Sequence, residues 1–174
     1  MKPKFIEYYM KLAELTSKLS YAKRLQVGAV IVKDNQILGT GYNGTPAGWD
    51  NNCEDQEWYS GGGWLSPAEI EAEWPFEGTY LDMEGNTMHG NYRLTTKPEV
   101  LHAEMNCLMK VAKSTESSNN AILFCTHAPC MDCAKAIFQA GIKTVFYRDQ
   151  YRDDSGLNFL KQGGVNVHQH SNSV

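Results

Sequence analysis

At 174 residues, 42% of them hydrophobic and 21% charged, the chain reads as one domain (1–174) that is long enough to bury a core of its own. Its net charge of −4 argues against a polyanion such as DNA or tRNA as partner and leaves room for a small anion that needs only a few local cations. No stretch is apolar enough to span a membrane and Met1–Phe5 lacks a signal-type apolar run, while five cysteines, two of them at metal spacing, fit a reducing cytoplasm.

Apolar residues at helical spacing (Phe5, Tyr8, Tyr9, Leu12, Leu15, Leu19) predict an amphipathic helix over Lys4–Ser20. Gln26–Lys33 is rich in Val and Ile, Asp34-Asn35 is a turn signal, and Gln36–Tyr42 reads as the returning strand of a hairpin. Glycines and Pro46 then break the backbone. Residues 51–97 show no clean period and read as an irregular insertion. It carries Gly61-Gly62-Gly63, several acids, and Trp58, Trp64 and Trp74, with Trp49 just before it. So long an excursion inside a compact domain is usually functional or disordered, and its aromatic content predicts an ordered, packed one.

Leu101–Ala112 suits a helix with Leu101, Met105, Leu108, Met109 and Ala112 on its apolar face. Ala121–Thr126 predicts a short buried strand, Met131–Ala140 a helix stopped by Gly141, and Lys143–Tyr147 another strand, together a parallel βαβ unit. Leu157–Gln162 predicts a last short helix, Gly164–His168 an edge strand, and Ser171–Val174 a frayed tail. The sum is an α/β protein with helices on both faces of a sheet.

The chemistry concentrates in two segments, His102-Ala103-Glu104 and Pro129-Cys130-Met131-Asp132-Cys133. His102, Cys130 and Cys133 supply three zinc ligands and leave the fourth position for water, as a catalytic zinc requires. Cys130 and Cys133 are three apart across a helix start and share a face. The two helix N-termini then point at the metal, where their partial positive charge favours thiolate and carboxylate. Pro129 fits ahead of its helix, where a missing N–H is harmless. Glu104 lies close to the metal without being a ligand and suits a proton carrier. The competing reading is a structural zinc, or two core cysteines and a surface histidine. Cys107 and Cys125 sit among apolar residues and read as core thiols, His168 and His170 as tail residues, and His127 as a possible pocket residue.

The same residues carry a family resemblance. Val27–Val32, Gly41-Tyr42-Asn43-Gly44-Thr45-Pro46, His102-Ala103-Glu104-Met105-Asn106, Pro129–Lys135 and Ala140-Gly141-Ile142-Lys143 resemble the deoxycytidylate (dCMP) deaminases, phage-type viral members in particular, of the cytidine deaminase superfamily. The resemblance implies a three-layer α/β/α fold around a mixed sheet of about five strands. It also implies zinc-dependent hydrolysis of dCMP to dUMP and ammonia, supplying dUMP for thymidylate synthesis. Glu104 would pass a proton to N3 of the ring, and a tetrahedral intermediate at C4 would lose ammonia. Ala103 and the turn from Thr126 would face the base, and Asn43 would hold the base and sugar region. Arg24, Tyr147 and Tyr151 are candidates for the 5′-phosphate, Tyr147 reading equally as a core strand residue.

The resemblance further implies a homo-hexamer activated by dCTP and inhibited by dTTP, with Mg2+ accompanying the regulatory nucleotide, in the cytoplasm (the host's, for a viral member). Gly41, Tyr42, Asn43, Gly44 and Lys113 match the family's regulatory positions. Lys113 reads equally as a cation complementing a helix end. Some viral relatives bind a second, structural zinc. Here Cys53 and His89 match two of its positions, but Ala22 or Lys23 stands where the early Cys would be, which counts against that zinc. Other zinc deaminases (cytidine, guanine, tRNA adenosine) and a zinc-stabilised binding module are the alternatives. The acidic charge counts against the tRNA enzyme, and Glu104 against the module.

Overall fold

The computed structural model describes residues 1–61 and 64–170; Gly62, Gly63 and the tail from Ser171 lie outside the described residues. Helix α1 (Pro3–Ser17) starts on a proline in its first turn and buries Tyr9, Met10 and Ala13. Strands β1 (Gly28–Lys33) and β2 (Gln36–Tyr42) form an antiparallel hairpin. Asp34 and Asn35, both at positive φ (50° and 63°), close it as the primed turns of tight hairpins require. After the insertion come α3 (Ala103–Ala112), β6 (Ile122–His127), α4 (Met131–Gln139), β7 (Thr144–Asp149), α5 (Ser155–Gln162) and β8 (Asn166–Gln169).

The central sheet runs β2-β1-β6-β7-β8, antiparallel across β2/β1/β6 and parallel across β6/β7/β8. Alternation along the strands divides the core between two faces. Val30, Val32 and Phe124 meet Tyr9, Met10 and Ala13 of α1. Ala29, Ile31, Leu123, Cys125 and Val145 meet α3, α4 and α5. This is the expected three-layer α/β/α fold with a mixed five-stranded sheet. Burial pushes the Cys107 and Cys125 thiols well up, as suits core cysteines. Among the described residues no helix is long and apolar enough to cross a membrane.

Two glycines let the helices approach the sheet backbone to backbone. A Cβ on Gly28 would lie 2.0 Å from the Ala13 carbonyl oxygen of α1, and one on Gly41 would lie 2.3 Å from the Ala103 oxygen and 2.6 Å from the Cys107 nitrogen of α3. Gly41 therefore fixes how closely the helix bearing His102 and Glu104 sits on the sheet.

The insertion is not irregular. It folds as a second antiparallel sheet, β3 (Glu54–Trp58), β4 (Phe76–Leu81) and β5 (Thr87–Thr96), in the order β3-β5-β4, with α2 (Pro67–Glu73) started by a Ser66/Glu69 capping box. Trp58 packs 4.6 Å from Tyr80 and 4.8 Å from Tyr92 (ring centroids), over the space that Gly78 and Gly90 leave. The opposite face carries Arg93 held between Glu57 and Glu73. The sheet is held by cross-strand pairs that connect residues distant in sequence, so no local period announces it. Its root is closed by a two-way backbone bridge between Gly44 and Leu101.

Gly41→Ala is expected to destabilise the fold by about 2–3 kcal/mol or more through overpacking. Chemical denaturation of the purified variant measures it, and an unchanged midpoint would contradict the close approach of α3.

Candidate active site

Both helices that bear the motif begin at the same place. His102 is the N-cap of α3 and Cys130 the N-cap of α4, each in extended backbone and neither making a side-chain capping bond. His102 Nδ1 lies 3.3 Å from Cys133 Sγ and 3.5 Å from Cys130 Sγ. A tetrahedral ion with bonds of about 2.3 Å to sulfur and 2.0 Å to nitrogen holds its ligand atoms roughly 3.6 Å apart. Two thiols and an imidazole nitrogen, all within 4.8 Å of one another, therefore fit zinc in both donor type and spacing. Behind them α5 presses on the cysteine turn: a Cβ on Gly156 would lie 2.2 Å from the Pro129 oxygen.

The donor set is electrostatically primed. Hydrogen bonds with Cys133 and His102 draw the Cys130 thiol down to about 4, so one thiolate forms readily. The same Cys130 contact and burial hold the Cys133 proton well above the usual thiol range, and the hydrogen bond to Cys130 raises His102. Glu104, in the first turn of α3, is only 4% exposed. Burial pushes its carboxyl up to about 7, opposed by its own backbone N–H and by His102. A carboxyl poised near neutrality can both take and return a proton.

His102, Glu104 and Cys130 line a cleft of about 320 Å3, with Cys133 buried behind them. Of the residues proposed from sequence, Arg24, Asn43, Ala103 and Tyr151 line it, and so does His127. Asn43 is buried, and its amide is engaged by the chain. Its Oδ1 accepts from Val27 N (2.8 Å) and its Nδ2 donates to the Leu25 carbonyl (2.8 Å). As seen here it shapes the 25–27 wall. Thr126 lies just behind the lining, where its Oγ1 accepts from Gly28 N at 3.1 Å.

Tyr147 does not reach the cleft. It alternates inward from β7 into the core beside Cys125 and is 7% exposed. Its ring belongs to the large core cluster, as the core-strand reading has it. Lys113 stands at the C-terminal end of α3, about 16 Å along the axis from His102. Gly41 packs at the other end of that helix. Within one chain the Gly41–Gly44 segment and Lys113 are therefore apart. The cation beside that segment is Lys110, whose Nζ donates to the Thr40 carbonyl at 2.8 Å and lies 5.7 Å from the Tyr42 ring centroid.

Cys53 and His89 are also apart. Cys53 immediately precedes Glu54, which pairs with Thr96, and His89 lies about 24 Å further along β5. Cys53 instead packs with Ala22 and Val100 in a small apolar cluster.

Three polar lining residues were not anticipated: Glu54, Thr96 and Arg152. Arg152 neighbours Tyr151, and its guanidinium sits 5.3 Å from that ring, so proximity in sequence was an available signal. Glu54 and Thr96 reach the cleft only through the second sheet, and nothing local marks them.

Residues 3–149 match the family model of the cytidine and deoxycytidylate deaminase zinc-binding region. The deoxycytidylate deaminase of Enterobacteria phage T4 is 35% identical over 91% of this chain and 86% of its own length. That of the yeast Schizosaccharomyces pombe is 31% identical over 97% of this chain but 45% of its own, so the chain spans about half of that longer relative. Among solved structures, the dCMP deaminase of cyanophage S-TIM5 in complex with dCMP and dUMP superposes with a TM-score of 0.73 at 42% identity, covering 98% of this chain and 99% of that one. The chain thus belongs to the cytidine and deoxycytidylate deaminase family, and it is an enzyme of the deoxycytidylate deaminase branch.

Proposed function

We propose that this chain hydrolyses dCMP to dUMP and ammonia, with one zinc held by His102, Cys130 and Cys133. The observation that carries the reading is the convergence of these three donors beside a buried acid, on the floor of a cleft with arginines at its rim. The likeness to the cyanophage enzyme, whose complex holds dCMP and dUMP, supports the choice of substrate. Zinc bound there would supply a water acidified to near neutrality.

The chain's own residues do the rest. Glu104 takes a proton, delivers it to N3 of the ring and then helps the amine leave C4 as ammonia, so that a C–N bond is exchanged for a C–O bond. Ala103 forms the floor against which the base lies, and the wall set by Asn43 and His127 holds the ring. Arg24 and Arg152 at the rim, with Tyr151, suit a 5′-phosphate. These two cations favour a nucleotide over a free nucleoside.

The product would feed thymidylate synthesis. Control by dCTP and dTTP with Mg2+, and a hexameric assembly, belong to the same proposal and rest on the family resemblance. For the regulatory nucleotide the fold favours Lys110 over Lys113 as the cation beside Gly41–Gly44.

Glu104→Gln should keep one zinc per chain and lose about 10²–10⁴-fold in kcat. Steady-state kinetics with metal analysis checks both, and undiminished turnover would reject the mechanism. His102→Ala and Cys133→Ser should instead purify with little zinc and melt at a lower temperature, because the metal stabilises only the folded state. Arg152→Ala should raise KM for dCMP about tenfold, the value of one charged hydrogen bond, with a smaller change for deoxycytidine.

A further inference from the structure

The second sheet is tied to the cleft by its open end. Glu54, the first residue of β3, and Thr96, the last of β5, are register partners, and both line the cleft. Glu54 is only 5% exposed. A carboxylate that deep is costly unless hydrogen-bonded. Its Oε1 accepts from the backbone nitrogens of Lys23 (3.0 Å) and Arg24 (3.1 Å). Thr96 completes the grip from the other strand, its Oγ1 accepting from Arg24 Nη1 at 3.4 Å. The next residues of the same loop are held from the central sheet by Asn43, through Leu25 and Val27. Arg24 therefore sits between two clamps, and the insertion supplies the one that fixes both its backbone and its guanidinium.

We infer that Glu54 is a positioning residue for substrate selection: it holds Arg24 where the 5′-phosphate of the substrate arrives, so the insertion sets the preference for nucleotide over nucleoside. The inference rests on the dCMP reading given above. The sign of the effect separates it from plain electrostatics. A carboxylate in the cleft wall repels a phosphate. If Glu54 acted only through its charge, Glu54→Ala and Glu54→Gln would both raise the preference for an anionic substrate. If it acts by holding Arg24, alanine lowers that preference, whereas glutamine, whose carbonyl still accepts both N–H groups, retains or raises it.

The test is the ratio of kcat/KM for dCMP to that for deoxycytidine, measured on zinc-loaded full-length chain. Glu54→Ala is expected to lower the ratio about tenfold, mainly through KM for dCMP, with faster amide hydrogen exchange at Lys23 and Arg24. Glu54→Gln is expected to keep the ratio at or above the wild-type value. Thr96→Val leaves every backbone bond of the loop in place and is expected to lower the ratio two- to threefold, and it serves as the test should Glu54→Ala not fold. A ratio that Glu54→Ala or, in its stead, Thr96→Val leaves unchanged overturns the inference alone, as does an equal loss on both substrates or a glutamine variant as impaired as the alanine. A wild-type chain with no preference for dCMP overturns the dCMP reading and the inference together.

Discussion

The structure depends on two helices starting at one point. α3 follows β5 of the second sheet and α4 follows β6 of the central one, yet their N-caps, His102 and Cys130, stand within ligand distance of each other and of Cys133. Each start is held in place by contact too close for a side chain. Gly41 lets α3 lie directly on β2, and Gly156 lets α5 back the Pro129–Cys130 turn. With both helix ends fixed, two partial positive charges face the same spot, which suits thiolates and the anionic carriers of the reaction. Glu104 lies in the first turn of α3 and so inherits its placement and its burial from the same constraint.

The insertion illustrates how a long excursion can be built without disturbing such a core. Its ends are brought together by the Gly44–Leu101 bridge, so the central sheet sees little more than a closed loop. What lies beyond folds on its own aromatic face around Trp58. Among its described residues, the open end of its sheet, Glu54 and Thr96, returns to the cleft. The His102, Cys130 and Cys133 cluster and Glu104 thus belong to the elements around the central sheet, while part of the cleft wall belongs to the addition.

Legibility in the sequence followed the range of the interactions. The zinc ligands and Glu104 were readable because their relations are local: an i,i+3 pair, an i,i+2 pair and two helix starts. The hairpin was readable from Asp34-Asn35, and the βαβ unit from spacing. The second sheet was not, because β5 pairs with β3 across more than thirty residues and its apolar alternation is interrupted by Gly78 and Gly90, with charges at Glu57 and Arg93. Tyr147 was ambiguous because a strand residue faces core or cleft according to its register, which single-sequence patterning did not fix. Asn43 lines the cleft, but its engagement with Leu25 and Val27 is a tertiary fact, as is the contact of Lys110 with Thr40 and Tyr42.

The central claim is that a zinc site of two thiolates and one imidazole, with Glu104 beside it, removes the amine of a phosphorylated pyrimidine. It is tested most directly by incubating the zinc-loaded wild-type chain with dCMP, deoxycytidine and dCTP separately and measuring ammonia and uracil product together. The account predicts equal amounts of ammonia and dUMP from dCMP, at a rate well above that for deoxycytidine. Zinc-loaded chain that leaves dCMP intact, or that turns over deoxycytidine faster, would contradict it.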